Sequence, residues 1–265
     1  MNILISGCSF TGGSDVIHDE ETGLIVKNNQ TTWCSFLDAD VNNIALGGNS
    51  NHKISRRVFE ELDNSYDYVI VQWTALHRQE RYNTMTKQWV NFCNTGHVIT
   101  NDPYNKVEGT FSNGLYDWHT DDYKYMDDTP ANVGVEKTFN LTNKAMTAEL
   151  LYGKSLQDYR IDFLKTVITM QQALLRRNIP FLFTSMSNES HIPTIAMGGS
   201  GYDFNSNNML CDYERHLLKE IDITKWTGKP MSFMMDNKTV SHEDGHPSLE
   251  GHKLIYNHIK KDMKQ

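Results

Sequence analysis

Apolar residues along the chain fall into two rhythms. Short continuous runs at residues 2–6, 42–46, 68–73 and 180–184 are rich in Ile, Val and Leu and end in small or polar residues. Runs of this length without alternation predict strands buried on both faces, as in a parallel sheet. Between them, apolar positions recur at helical spacing. Ile54, Val58 and Leu62 form a stripe on a helix that begins near Ser50, a residue type suited to an N-cap. Ile161, Leu164, Val167, Ile168, Leu174 and Leu175 form a longer stripe over about 157–177, and Asn178, Ile179 and Pro180 then hand the chain to the next strand. A last helix starts near Ser248, just after Pro247, with His252, Ile255, Tyr256, Ile259 and Met263 on its less polar face. This alternation predicts a three-layer α/β/α arrangement with a central parallel sheet.

Residues 81–150 break the rhythm. They are rich in Asn, Asp, Thr and Gly, with Tyr82, Trp89, Phe92, Tyr104, Phe111, Tyr116, Trp118, Tyr123 and Tyr125 interleaved. A long irregular segment inside a compact domain reads as an insertion or lid. The expected organisation is one domain over 1–265 with that insertion at about 81–150. Its aromatic residues either form a small core of their own or stack on a ligand such as a sugar. Residues 197–208, rich in Gly, Ser and Asn, read as a mobile loop.

Charge and cysteine content narrow the function classes. The formal net charge is -8, which weighs against binding driven by nucleic-acid phosphates. No apolar run approaches the roughly 20 residues that span a bilayer, and no basic-then-apolar leader is visible. Cys8, Cys34, Cys93 and Cys211 are scattered without C-x-x-C pairing, against both a disulfide framework and a thiolate zinc site. A reducing, cytoplasmic setting is the simplest expectation, with a virion or leaderless export as the alternative.

The first strand runs into Ser6-Gly7-Cys8-Ser9-Phe10-Thr11, so a serine follows directly on a buried strand. Open α/β sheets bind ligands at the carboxyl ends of their strands. A serine hydroxyl there becomes a nucleophile when a base takes its proton. Of eleven histidines, His246 stands out, in Ser241-His242-Glu243-Asp244-Gly245-His246-Pro247-Ser248. Glu243 or Asp244 is placed to orient its imidazole. An oxyanion needs preorganised N–H donors, and Gly47-Gly48 before the helix at Ser50 offers free amides. Gln72-Trp73-Thr74 ends the third strand at the same edge. Arg78 and Glu80 follow and read either as a surface ion pair or as substrate-positioning groups. His242-Glu243-Asp244-Gly245-His246 also matches H-E-x-x-H, the zinc-protease signature, but Gly245 and Pro247 oppose the helix that motif requires. No metal or other cofactor is expected.

These places resemble the SGNH, or GDSL-like, hydrolase superfamily. Gly7-Cys8-Ser9-Phe10-Thr11 is similar to its first block, with cysteine where aspartate is usual. Asn43-x-Ala45-x-x-Gly48 is similar to the second, with alanine replacing a glycine. Val71-Gln72-Trp73-Thr74 falls where the third block carries Gly-x-Asn-Asp, and that asparagine is absent. Asp244-Gly245-His246-Pro247 is similar to the fifth block, and Glu243 rather than an aspartate stands three residues before the histidine. The resemblance implies a flavodoxin-like fold and metal-free ester hydrolysis through an acyl-enzyme, with Ser9 as nucleophile, His246 as base and Glu243 or Asp244 behind it. It implies an oxyanion hole from Ser9, Gly48 and Thr74. Substrate contacts are expected from Asn49, Trp73 and Arg78, with Trp73 either lining the pocket or packing beneath it. The expected partner is a small-molecule or carbohydrate ester. The alternatives are a non-catalytic carbohydrate-binding or structural module on the same fold, an acyltransferase using the same serine, or a zinc metallohydrolase through His242 and His246.

Overall fold

Strand β1 (Asn2–Ser6) runs through the middle of a four-stranded sheet. β2 (Asp40–Asn43) lies on one side of it, and β3 (Tyr68–Trp73) and then β4 (Phe181–Ser185) lie on the other. All pairings are parallel, with Ile3 opposite both Val41 and Tyr68, and Val69 opposite Phe181. The computed structural model describes residues 1–13, 16–18, 25–27, 31–47, 49–62, 65–76, 78–83, 88–92, 98–99, 107–108, 124–125, 156–196, 210–235 and 246–263, and only the backbone of the short strands at 16–27 and 81–125.

The strand order β2-β1-β3-β4 is that of a doubly wound sheet. The chain steps from β1 to one side and then crosses to the other, so the switch point falls between β1 and β3. Strand alternation divides the core in two. Ile3, Ile5, Ile70 and Leu182 face a layer made by helix Leu249–Asp262, the short helix Met231–Met234 and the 3-10 turn Trp33–Phe36. Leu4, Val69, Val71, Trp73, Phe181 and Phe183 face the opposite layer, made by helices Asn51–Glu61, Leu156–Arg176 and Asp212–Lys219. Each fully buried aliphatic side chain contributes roughly 1.5–3 kcal/mol of apolar burial.

We label the helices α1 (Ser9–Gly12), α2 (Asn51–Glu61), α3 (Leu156–Arg176), α4 (Asp212–Lys219) and α5 (Leu249–Asp262). Ser50 caps α2, its hydroxyl accepting from the Lys53 amide, and Ser248 caps α5 by accepting from the Gly251 amide. α3 and α4 are joined by an ion pair, Arg160 Nε to Glu214 Oε1 at 2.6 Å, in which the Glu214 side chain is fully buried. Cys211 and Glu214 form a reciprocal cap at the start of α4.

Three expectations shift. The second strand is Asp40–Asn43 rather than 42–46. Ile44 continues the ladder by one bond to the Ile5 carbonyl, after which Ala45 and Leu46 turn away to pack beside α1. The apolar residues there serve that turn, while the edge strand itself is polar. The fourth strand begins at Phe181 because Pro180 has no N–H to donate, although its carbonyl accepts from the Val69 amide. Leu175 leaves the α3 stripe and is 47% exposed, while Leu174 beside it is fully buried.

On its outer side β4 carries an isolated parallel bridge from Phe183 to Trp226. Residues 79–83, 88–92 and 98–99 form a three-stranded antiparallel sheet, 107–108 pairs with 124–125, and Val16–His18 pairs with Ile25–Lys27. The side chains expected to form or line a lid at 81–150, and the loop expected at 197–208, lie outside the described residues. No helix among the described residues is long and apolar enough to cross a membrane.

Candidate functional site

Between β1 and α1 the chain makes a tight turn that space alone dictates. A Cβ on Gly7 would lie 2.6 Å from Gln72 Oε1 and 3.0 Å from Thr11 Cβ, and a Cβ on Gly12 would lie 2.6 Å from the Ala45 carbonyl oxygen. Both positions therefore need glycine for close approach. Gln72, fully buried on β3, ties the turn from below. Its Oε1 accepts from the Cys8 amide at 2.9 Å and the Thr11 hydroxyl at 3.1 Å, and its Nε2 donates to the Trp73 carbonyl at 2.6 Å. Asn49 Nδ2 donates to the Gly7 carbonyl at 2.9 Å, and Asn43 Nδ2 donates to the Thr11 carbonyl at 3.1 Å. The result is a rigidly held Ser9 at the first position of α1, 6% exposed, at the carboxyl edge of the sheet.

His246 reaches this serine from the far end of the chain. Its Nε2 lies 2.8 Å from Ser9 Oγ, and its ring packs against Phe10 with centroids 5.7 Å apart. His246 stands before α5, not inside a helix, so it does not sit in the helical frame of an H-E-x-x-H site. His242, Glu243 and Asp244 lie outside the described residues, as does Gly48. Among the described residues no group of three His, Cys, Asp or Glu side chains is placed to hold a metal ion. The first turn of α5 adds a second imidazole, His252, which is 3% exposed. Burial pulls its pKa down to about 4, and the nearby His246 adds to the shift, so it is neutral at pH 7.

The other expected site residues separate into those that face the crevice and those that do not. Gly47 comes close to Ser9: a Cβ built on it would lie 3.9 Å from Ser9 Cβ. Thr74 is fully buried; its amide donates to Asn51 Oδ1 at 2.8 Å and its hydroxyl lies 4.0 Å from Met186 Sδ. The Thr74 amide is thus committed to α2. Trp73, expected to touch substrate, is fully buried, with its indole edge-on to Phe163 and Phe183 at 5.7 and 5.6 Å. Strand alternation sends it into the core. Asn49, also expected to touch substrate, is fully buried on the Gly7 carbonyl and acts on the turn. Cys8 is fully buried, its sulfur 3.9 Å from Met186 Sδ.

Arg78 is half-buried beyond the end of β3, and its Nε and Nη1 are buried without a hydrogen-bond partner. Glu80, expected as its ion-pair partner, is held by Arg56 of α2 through two bonds of 2.8 and 3.1 Å, with its side chain 1% exposed.

Sequence reasoning passed over Gln72 and Asn51. The signal for Gln72 was present: a polar amide inside the run Val69-Ile70-Val71-Gln72-Trp73, buried on both faces, must find polar partners there. A three-layer α/β architecture of this kind, with a serine and a histidine in contact at its switch point, is enzyme-like in its general layout. No family model matches the chain, and a comparison with curated proteins gives no match.

Proposed function

We propose that the chain is a serine-dependent ester hydrolase of the SGNH, or GDSL-like, type, one domain with an insertion at about 81–150. The observation that carries the reading is the 2.8 Å contact between Ser9 Oγ and His246 Nε2 at the switch point of the sheet. With the His246 proton on Nδ1, Nε2 accepts from the Ser9 hydroxyl and is ready to take its proton. The role this reading gives Glu243 or Asp244 is to accept from Nδ1 and fix that tautomer.

Ser9 Oγ then bonds to the ester carbonyl carbon as its proton passes to His246. The negative charge that develops on the carbonyl oxygen is met by the amides of Ser9 and Gly48, with the Thr74 hydroxyl as a further donor. The ester C–O bond breaks, the alcohol takes the proton from His246, and the acyl group stays on Ser9. Water, deprotonated by His246, attacks the acyl carbon; the acyl C–Oγ bond breaks, Ser9 Oγ takes the proton back from His246, and the acid is released. Gln72 and Asn49 act behind the reacting atoms by holding the turn that presents Ser9. The substrate class is a carboxylic ester, with an acylated carbohydrate favoured by the aromatic content of the insertion.

The test is hydrolysis of 4-nitrophenyl acetate by wild type and Ser9→Ala, with intact-mass detection of a fluorophosphonate adduct. Activity lost in Ser9→Ala together with one adduct on Ser9 supports the reading. Equal activity in both proteins, or labelling elsewhere, overturns it.

A further inference from the structure

An arginine with two buried nitrogens and no acceptor is an anomaly in a folded protein. Buried donors are almost always paired, and a charged one left unpaired costs more than a neutral one. Arg78 is in that position at Nε and Nη1. The carboxylate two residues along, Glu80, is already taken by Arg56 through both oxygens. Glu189, which holds the same segment, accepts from the Leu76 amide at 3.2 Å.

The segment carrying Arg78 is well anchored. Asn51 bonds both the amide and the carbonyl of Thr74, Glu189 holds the Leu76 amide, and the Arg78 amide closes a turn on the Ala75 carbonyl. Ser6 pairs with Val71, so the turn that carries Ser9 and the segment after Trp73 leave the sheet at neighbouring carboxyl ends. Arg78 follows Thr74 by four residues, at most about 14 Å of extended chain, and the turn shortens that span. The Arg78 backbone is thus held at the same carboxyl edge as Ser9, on the β3 side of the switch point. The whole chain carries a net charge of -8, which repels anions at long range. An arginine at that edge with two buried, unpartnered nitrogens is a local exception.

We propose that Arg78 is the anion-binding residue of the Ser9 crevice and that the ester hydrolysed there carries a carboxylate. This rests on the reading of Ser9 as nucleophile. The planar guanidinium suits carboxylate oxygens, and the substrate group completes the pairing that the folded chain leaves open.

The experiment uses two pairs of esters. One pair is 4-nitrophenyl hydrogen succinate against its methyl ester, with the charge in the acyl part. The other is 3-acetoxybenzoate against its methyl ester, with the charge in the alcohol part. Wild type is expected to prefer the charged member of at least one pair by about tenfold or more in kcat/KM, expressed in KM. In Arg78→Gln that ratio falls to near one, and Arg78→Lys keeps part of it. A wild-type ratio near one for both pairs, or a ratio unchanged in Arg78→Gln, overturns the proposal while fluorophosphonate labelling of Ser9 still stands. If Ser9 does not label, the hydrolase reading fails, and calorimetric titration with succinate decides the anion site alone. Binding in wild type that is lost in Arg78→Gln supports it, and no binding in wild type overturns it.

Discussion

His246 Nε2 and Ser9 Oγ meet at 2.8 Å although 237 residues separate them. A general base in that position contributes about 10²- to 10⁴-fold to rate. His246→Ala is therefore expected to lower kcat for 4-nitrophenyl acetate within that range and to slow fluorophosphonate labelling of Ser9 in parallel. The half-buried ring contributes little to the core, so the thermal midpoint stays close to that of wild type. A variant with normal labelling kinetics would show that the contact has no chemical role.

Gln72 acts on the nucleophile only through the backbone. Replacing it with Leu leaves the Cys8 amide and the Thr11 hydroxyl without their acceptor inside the core. The expected cost is about 2–4 kcal/mol of stability. Displacement of the turn should also lower kcat by roughly 10- to 100-fold, since misplacement by about an ångström costs rates of that order. KM for 4-nitrophenyl acetate should change little. A loss seen in KM alone, with kcat intact, would contradict this positioning role.

Gly12 and Gly228 give a matched comparison. A methyl group on Gly12 meets the Ala45 carbonyl at 2.6 Å, whereas one on Gly228 meets nothing within 4 Å. Gly12→Ala is expected to destabilise by about 1–3 kcal/mol by overpacking, and Gly228→Ala to fall within about 0.5 kcal/mol of wild type. Urea midpoints of the two variants check the difference.

Lys53 in the first turn of α2 is 7% exposed. Burial pulls its ammonium down from 10.5 to about 8, against the opposing pull of Glu80. Between about pH 8 and 10.5 the unfolded chain binds more protons than the folded one, so this group makes stability rise with pH across that window. Below pH 8 the penalty is at full size. Lys53→Met is expected to stabilise the protein at pH 7 by on the order of 2 kcal/mol and to flatten the alkaline limb. Denaturant titrations at pH 7, 8.5 and 10 measure both effects; an unchanged limb in the variant assigns the pH dependence to another group.

Much of the scaffold was legible because its signals are local. The runs at β1 and β3 are apolar on both faces, and Ser50 and Ser248 announce the starts of α2 and α5 with side chains that bond where caps should. The edge strand was misplaced because Ile44 and Ala45 are apolar for a different reason, the packing of their turn beside α1. Trp73 was expected to line the pocket or pack beneath it, and strand alternation assigns it to the core beside Phe163 and Phe183. Ser9 and His246 were singled out by their motifs, yet nothing in one dimension states how far apart two side chains will be. The commitment of the Thr74 amide to Asn51 was invisible for the same reason.

The margins of the sheet have a consequence for behaviour at high concentration. A strand with a regular unpaired ladder invites a strand from another molecule. On one margin, β2 reads Asp40-Val41-Asn42-Asn43, short and polar, a poor template for apolar pairing. On the other, the Thr227 amide donates to the Phe183 carbonyl and the Thr227 hydroxyl lies 3.0 Å from that of Thr184. One bridge at the centre of β4 thus interrupts the row of groups an incoming strand would need. Among the described residues, Trp226 and Thr227 occupy part of the edge of β4 that an incoming strand would need.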